Sequence, residues 1–238
     1  MNNKKQICLP GLNKQFDFLK TNLPVNPESV LVIGSGSEIV AELIAKHYLC
    51  KIELIVQDYE SLINSKIILG NDSEVKVSFM DYEVTDYRAE SFELIYAQAS
   101  VSLLNRNKII KEIKRILKPD GYICIGEIVS LKPDIPLFVK DIFDFAGLLP
   151  IYVDELEKYY SERNLELISK QDFSNTLAEY YMQYASQLKS TKYDLTDSEK
   201  SYYKKILNKI SHESNAYLKL GGDKFIGFVS LLMQKGNN

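Results

Sequence analysis

Several short segments of this sequence combine residue types and positions that could do chemistry. Gly34-Ser35-Gly36-Ser37 follows at once on the aliphatic run Val30-Leu31-Val32-Ile33. Glycines at such a turn let the backbone bend sharply and approach a ligand closely. A helix starting there offers free N–H groups to a carboxylate or phosphate. Asp58 closes the next aliphatic run, Ile52 to Val56. A carboxylate in that place can accept hydrogen bonds from both hydroxyls of a ribose. Asp81 closes a third run, Val75 to Phe79, and Glu127 follows a later one, Tyr122 to Ile125. Each feature also has an ordinary explanation: many strand–helix turns carry glycine for packing, and loop aspartates are commonly just solvated.

The elements that must hold these residues are legible from periodicity. Short unbroken aliphatic runs suit strands buried on both faces. They are predicted at 30–33, 52–56, 75–79, 92–96 and 122–125, with later ones at 165–168 and 225–233. Between them lie helical patterns: 39–47, 59–69 with Leu62, Ile63 and Ile67 inward, and 107–117 with an Ile109/Ile110/Ile113/Ile116/Leu117 stripe ended by Pro119-Asp120-Gly121. Residues 11–22 form a short amphipathic segment. Strand and helix alternating over about 100 residues predict a doubly wound α/β sheet, with ligands beyond the carboxyl ends of the strands. After Ser130 the pattern becomes helical: 135–149 as helix or loop, 154–163 opened by an Asp154-x-x-Glu157 capping arrangement, 175–189, and a helix opened by Thr196-x-x-Glu199 with Tyr202, Tyr203, Ile206, Leu207 and Ile210 on one face.

Composition excludes several function classes. The 238 residues carry a net charge of −3, unlike a dedicated nucleic-acid binder. Lys204, Lys205 and Lys209 read as a solvated helix face. Cys8, Cys50 and Cys124 have no CxxC spacing, and His47 and His212 sit in no metal-ligand spacing, so neither a disulfide framework nor a metal site is expected. Cys124 reads as inert core, and the histidines as packed or surface residues. No leader sequence, no membrane span and a cytoplasmic location are expected. The 16 tyrosines are unevenly placed, ten of them after residue 150.

The dinucleotide fingerprint would need a third glycine, and Ile39 is a poor match to it. The segments that carry a better likeness are Val30–Gly36, Asp58, Met80-Asp81-Tyr82, Ser91–Ile95 and Glu112–Gly121. In order and spacing they resemble class I S-adenosylmethionine-dependent methyltransferases. They look most like the ubiquinone/menaquinone C-methyltransferase type, over about residues 28–130. The resemblance implies a Rossmann-like seven-stranded sheet with an inserted helical cap between the late strands. The whole chain would be one domain: a cofactor core at 28–130, a cap and substrate region at 131–222 including strand six, and a final strand at 223–238. It implies S-adenosyl-L-methionine as cofactor and a small-molecule methyl acceptor as partner. Gly34, Ser35 and Gly36 would lie under its methionine part, Asp58 and Tyr59 at the ribose, and Asp81 and Tyr82 at the adenine. Gln98 would sit near the methionine end and the acceptor, and Gln98 and Glu127 are the candidate catalytic residues. The sequence departs from the family at Val32, usually an acid, and at Glu38, commonly a third glycine; Glu38 is the candidate replacement for the missing acid. A catalytically inactive cofactor-binding protein and another nucleotide-cofactor enzyme, such as an NAD-dependent dehydrogenase, are the alternatives. Oligomeric state and acceptor are not legible.

Overall fold

The computed structural model describes residues 7–190, 211 and 213–236. His212, the helix expected from Thr196 and its lysine face lie outside the described residues. Strands β1 (Ser29–Ile33), β2 (Lys51–Val56), β3 (Lys76–Phe79), β4 (Phe92–Gln98) and β5 (Leu117–Ser130) alternate with helices α2 (Glu38–Tyr48), α3 (Tyr59–Leu69) and α4 (Arg106–Ile116), after an N-terminal helix α1 (Lys14–Asn22). Then come α5 (Leu137–Ala146), β6 (Ile151–Tyr152), α6 (Leu156–Ser161), β7 (Leu165–Asp172), α7 (Leu177–Ser190) and β8 (Ile226–Lys235). Residues 213–219 are helical as well.

The strands run in the order β3-β2-β1-β4-β5-β8-β7, with the two-residue β6 paired off this path to β5. Pairings from β3 to β5 are parallel, whereas β8 is antiparallel to both β5 and β7. This is the expected seven-stranded, doubly wound sheet with one small strand added. Alternation along β1 decides its two faces. Val30 and Val32 enter the core under α1, α2 and α5, while Leu31 and Ile33 enter the core under α4 and α6. The aliphatic runs are therefore continuous because both faces are covered.

Two local expectations are corrected. The inward face of α3 is Ser61, Ser65 and Leu69, and Ile63 and Ile67 are exposed, Ile67 to 73%. Polar contacts orient this helix: Asp58 caps it through Ser61, and Ser65 donates to the buried Glu38 of α2 at 2.5 Å. A buried carboxylate without a donor would cost more than a few exposed aliphatic side chains. At the start of α6, Asp154 does not cap; it accepts from the Tyr152 hydroxyl at 2.6 Å, and Glu157 pairs with Lys170 at 2.9 Å. In addition, β5 begins directly after α4, so Pro119-Asp120-Gly121 lies within that strand as an irregularity opposite Phe92 and Leu94.

Candidate functional site

The carboxyl ends of β1, β2 and β3 bring the glycine turn, Asp58 and Asp81 to one edge of the sheet. Gly34 has φ +127° and Gly36 φ +84°, both in the region that favours glycine. A Cβ on Gly34 would meet Ser100 Cβ at 2.7 Å, and one on Gly36 would meet Leu9 Cδ2 at 3.2 Å. The turn is thus wedged between the segment after β4 and the N-terminal segment. Ser100 Oγ fixes it further by donating to the Ile33 carbonyl at 2.6 Å.

Asp58, the N-cap of α3, is exposed. It accepts from the Ser61 backbone N–H at 2.7 Å and from the Ser61 hydroxyl at 2.6 Å. Ser35 Oγ donates to the same Ser61 hydroxyl at 2.9 Å. A chain of three side chains therefore links the glycine turn to the acid at the next strand end. A carboxylate has about four lone-pair sites, so two of those on Asp58 stay available on its open side. Tyr59 is beside it and largely exposed. Asp81 is exposed and accepts from the Glu83 N–H at 2.9 Å. Tyr82 lies lower: it is buried in the core, its hydroxyl 3.4 Å from the Ile55 carbonyl, and burial raises its pKa, with the charges of Asp58 and Glu38 adding to this.

The loop that carries Asp81 is braced by α4. Glu112 accepts from the Thr85 N–H at 2.8 Å and its hydroxyl at 2.6 Å, and pairs with Arg115 at 2.6 Å. Burial pushes the Glu112 carboxyl up, but the donors of Arg115 and Thr85 outweigh it and hold the pKa below the usual carboxylate value. A depressed carboxylate stabilises the fold above its unfolded pKa, about 4.3, and that contribution is lost as pH falls through the folded value. Wild type should therefore lose thermal stability more steeply than Glu112→Gln between about pH 5 and about pH 3. Superimposable profiles would remove Glu112 from the acid-sensitive groups.

Gln98 and Glu127 are both engaged by the protein's own groups. The buried Gln98 amide donates to the carbonyls of Pro10 and Leu12 at 2.8 and 2.9 Å, and its oxygen accepts from Tyr96 at 2.7 Å. It holds the N-terminal segment over the strand ends. Glu127 is 0% exposed and forms an ion pair with Arg106, itself 4% exposed, at 3.1 Å. It also accepts from the hydroxyls of Ser102 and Tyr160, and Arg106 donates to the Leu149 carbonyl at 2.6 Å. The network ties β5, α4 and α6 together. Glu38 is likewise committed, accepting from the Gly36 N–H at 3.3 Å and from Ser65. Val32, where an acid is usual, is completely buried in β1 between Leu54 and Tyr96.

The remaining sequence candidates are placed without a chemical role. His47 is an exposed residue of α2, packed edge-on against Phe16 and Tyr48. Burial pushes the Cys124 thiol up to about 12, which keeps it protonated and inert. Among the described residues, no three His, Cys, Asp or Glu side chains converge as a metal-binding group, and no helix is long and apolar enough to cross a membrane.

Two residues, Ser61 and Arg106, escaped the sequence reading, and the glycine turn holds an orphan hydroxyl on Ser37. Ser61 links the turn to Asp58; only its place three residues after an N-cap signalled this. Arg106 precedes the stripe of α4 by three residues, on the buried face, and that spacing could have marked it. Ser37 Oγ is buried beside Gly34 without a hydrogen-bond partner. An orphan hydroxyl at a strand-end turn is uncommon and calls for a polar partner.

A second space adjoins this edge. A cavity of about 370 Å³ opens past β4 and β5 beneath the cap, floored by Ala99 and Ile128 and roofed by α5 and α7. Leu9 lines it and also packs against Gly36, so the cavity and the glycine turn are neighbours across one side chain. Ala99 takes φ +56°, a conformation that costs a non-glycine residue roughly 1–3 kcal/mol and is concentrated at functional sites.

Residues 31–125 match the protein-family model described as a methyltransferase domain. This stretch is similar to that family. S-adenosylmethionine is the methyl donor of the family. The matched stretch holds the glycine turn, Asp58, Asp81 and Gln98, and stops just short of Glu127. No curated protein sequence matches the chain. Solved structures share the fold at low identity. A protein described as a sarcosine dimethylglycine methyltransferase from Galdieria sulphuraria aligns with TM-score 0.73 and 14% identity, over 93% of this chain and 84% of that one. The [4+2]-cyclase SpnF aligns with TM-score 0.74 and 17% identity, over 95% and 81%. Geranyl diphosphate C-methyltransferase from Streptomyces coelicolor A3(2) aligns with TM-score 0.67 and 13% identity, over 93% and 76%. The architecture is that of class I methyltransferases. One of these relatives in fold is a cyclase, and fold alone does not settle a reaction.

Proposed function

We propose that the chain transfers a methyl group from S-adenosyl-L-methionine to a small-molecule acceptor held in the cavity beneath the cap. The observation that carries this reading is the adjacency of that cavity to the glycine turn, with Leu9 touching both. The residues at the strand ends suit the cofactor. Gly34 and Gly36 let the turn bend and pack closely against Ser100 and Leu9, Ser37 has a hydroxyl with no partner, and Asp58 and Asp81 present exposed carboxylates. Asp58 and Tyr59 would hold the ribose, Asp81 the adenine amino group, and Ser35, Gly36 and Ser37 the methionine part. When bound, the cofactor supplies a sulfonium-borne methyl group for in-line transfer.

The contribution of the chain is alignment. Fixing two reactants in one geometry can replace much of the entropic part of a bimolecular barrier. Gln98 and Tyr96 hold the N-terminal segment that separates turn from cavity, so both are positioning residues here. Glu127 and Arg106 hold α4 and α6 in the same sense. No histidine lines the cavity among the described residues. That suits an acceptor atom already nucleophilic at neutral pH, which needs no general base. The likeness to ubiquinone/menaquinone C-methyltransferases rests on the sequence motifs alone, and the acceptor atom is left unassigned.

Calorimetric titration tests the reading. S-adenosylmethionine and S-adenosylhomocysteine are expected to bind the full chain, and NADH is not. Binding of NADH in place of the sulfonium would overturn the assignment in favour of a dehydrogenase. Binding of S-adenosylmethionine with no methylated product from any screened acceptor would favour the inactive protein.

A further inference from the structure

We propose that Glu38 is a specificity-determining residue: its carboxylate bars phosphate from the glycine turn, so the site takes adenosine with a neutral or zwitterionic 5′ substituent and rejects ADP and dinucleotides. This rests on the reading above that the strand ends hold S-adenosylmethionine. On a sheet of this kind a pyrophosphate sits where the first strand turns into its helix, on the free N–H groups of that helix. Here that place already has an anion from within the chain. Glu38 is the first residue of α2 and is 4% exposed. Its Oε1 reaches back to the turn and accepts from the Gly36 N–H at 3.3 Å, a donor that a phosphate there would use. The same oxygen accepts from the Ser65 hydroxyl of α3 at 2.5 Å. Both donors are uncharged, so they fix the carboxylate in place without cancelling its charge.

Electrostatics give the sign of the preference. The N-terminus of a helix is equivalent to about half a positive charge, which is what attracts a phosphate to it. A full negative charge in the first turn of α2 more than offsets that attraction. Because the carboxylate is buried, water and salt screen it weakly, and its field extends across the turn. That field is felt at Tyr82, below the same strand ends, where burial raises the pKa of the hydroxyl and the charges of Asp58 and then Glu38 raise it further. A phosphate brought to the turn would find the Gly36 N–H taken and would face a carboxylate. The methionine part of the cofactor differs in kind. It carries an ammonium beside its carboxylate and so has no net charge, and the Ser37 hydroxyl, which has no partner, is a donor that Glu38 leaves untouched.

The test is a titration of the full chain with adenosine and with ADP, in the absence of divalent cations. ADP should bind at least tenfold more weakly than adenosine. Glu38→Gln keeps a side-chain oxygen for Gly36 and Ser65 and removes the charge, so it should shrink that ratio at least fivefold. The ratio is the readout, because a purely structural loss at the ribose or adenine contacts weakens both ligands alike and leaves it unmoved. It also isolates the share of Glu38 from that of the exposed Asp58 and Asp81. Equal or tighter binding of ADP to wild type would overturn the proposal, as would an unchanged ratio in Glu38→Gln or a protein that binds neither ligand at millimolar concentration. If Glu38→Gln does not fold, Glu38→Ser, smaller and also uncharged, is read in the same way. A parallel titration with S-adenosylhomocysteine separates the two levels. Binding of S-adenosylhomocysteine without a penalty on ADP overturns this inference only. A penalty on ADP that Glu38→Gln relieves, without binding of S-adenosylhomocysteine, supports the charge rule and overturns the methyl-transfer reading.

Discussion

Replacing Glu127 with alanine is expected to destabilise the protein by about 3–5 kcal/mol, the cost of leaving a buried charge without its partner. Arg106 is 4% exposed and would keep its charge in an apolar setting. The hydroxyls of Ser102 and Tyr160 would lose their acceptor at the same time. For a domain of this size each kcal/mol shifts the melting temperature by roughly 2–4 °C, so a drop of about 10 °C is expected in calorimetry. The double variant Glu127→Leu/Arg106→Met should recover most of it, because a buried ion pair is often no better than well-packed apolar side chains. A single variant as stable as wild type would show that water reaches Arg106 and that the network does not hold α4 to β5. This expectation differs from a catalytic role. A role confined to the acceptor would lower activity with no change in melting temperature.

The second large effect concerns the cofactor. Asp58→Ala should weaken binding of S-adenosylmethionine tenfold or more, through loss of charge-assisted hydrogen bonds worth about 1.5–3 kcal/mol each. Asp58 is also the N-cap of α3, so the same change should cost about 1 kcal/mol of stability. The two effects can be separated. Asp58→Ser keeps a capping oxygen and removes the charge, so stability should largely return while affinity stays low. Ser61→Ala should do less harm to affinity, because it removes a link between Asp58 and Ser35 and leaves the carboxylate in place. Calorimetry and thermal unfolding on the three variants read both quantities. Unchanged affinity in Asp58→Ala would refute the ribose assignment.

The sheet was legible in the sequence because each inner strand is buried on both faces, so its residues form an unbroken aliphatic run. For Val30–Ile33 and the runs after it, local pattern and global position agree. The glycine turn was legible for a related reason, since φ values of +127° and +84° ask for glycine whatever surrounds them. The orientation of α3 was not legible. Ile63 and Ile67 point outward because Ser65 must satisfy a carboxylate 27 residues earlier in the chain.

The same reasoning divides the candidate site. Strand-end position alone placed Asp58 and Asp81 at the open edge, because a parallel sheet delivers the carboxyl end of every strand to one side. Position alone equally nominated Gln98 and Glu127, and the tertiary structure gave them different surroundings. Gln98 meets the carbonyls of Pro10 and Leu12, more than 80 residues away. Glu127 meets Arg106 and Tyr160, delivered by α4 and α6. A side chain's chemistry depends on what is packed around it, and these partners are remote in the chain. The late tyrosines divide likewise: Tyr160 is consumed by Glu127, while Tyr180 and Tyr181 line the cavity. Residue type and spacing established where ligands would approach the sheet. Only the packing of cap and N-terminal segment decided which polar groups remain free to meet them, because burial and desolvation are properties of the assembled fold.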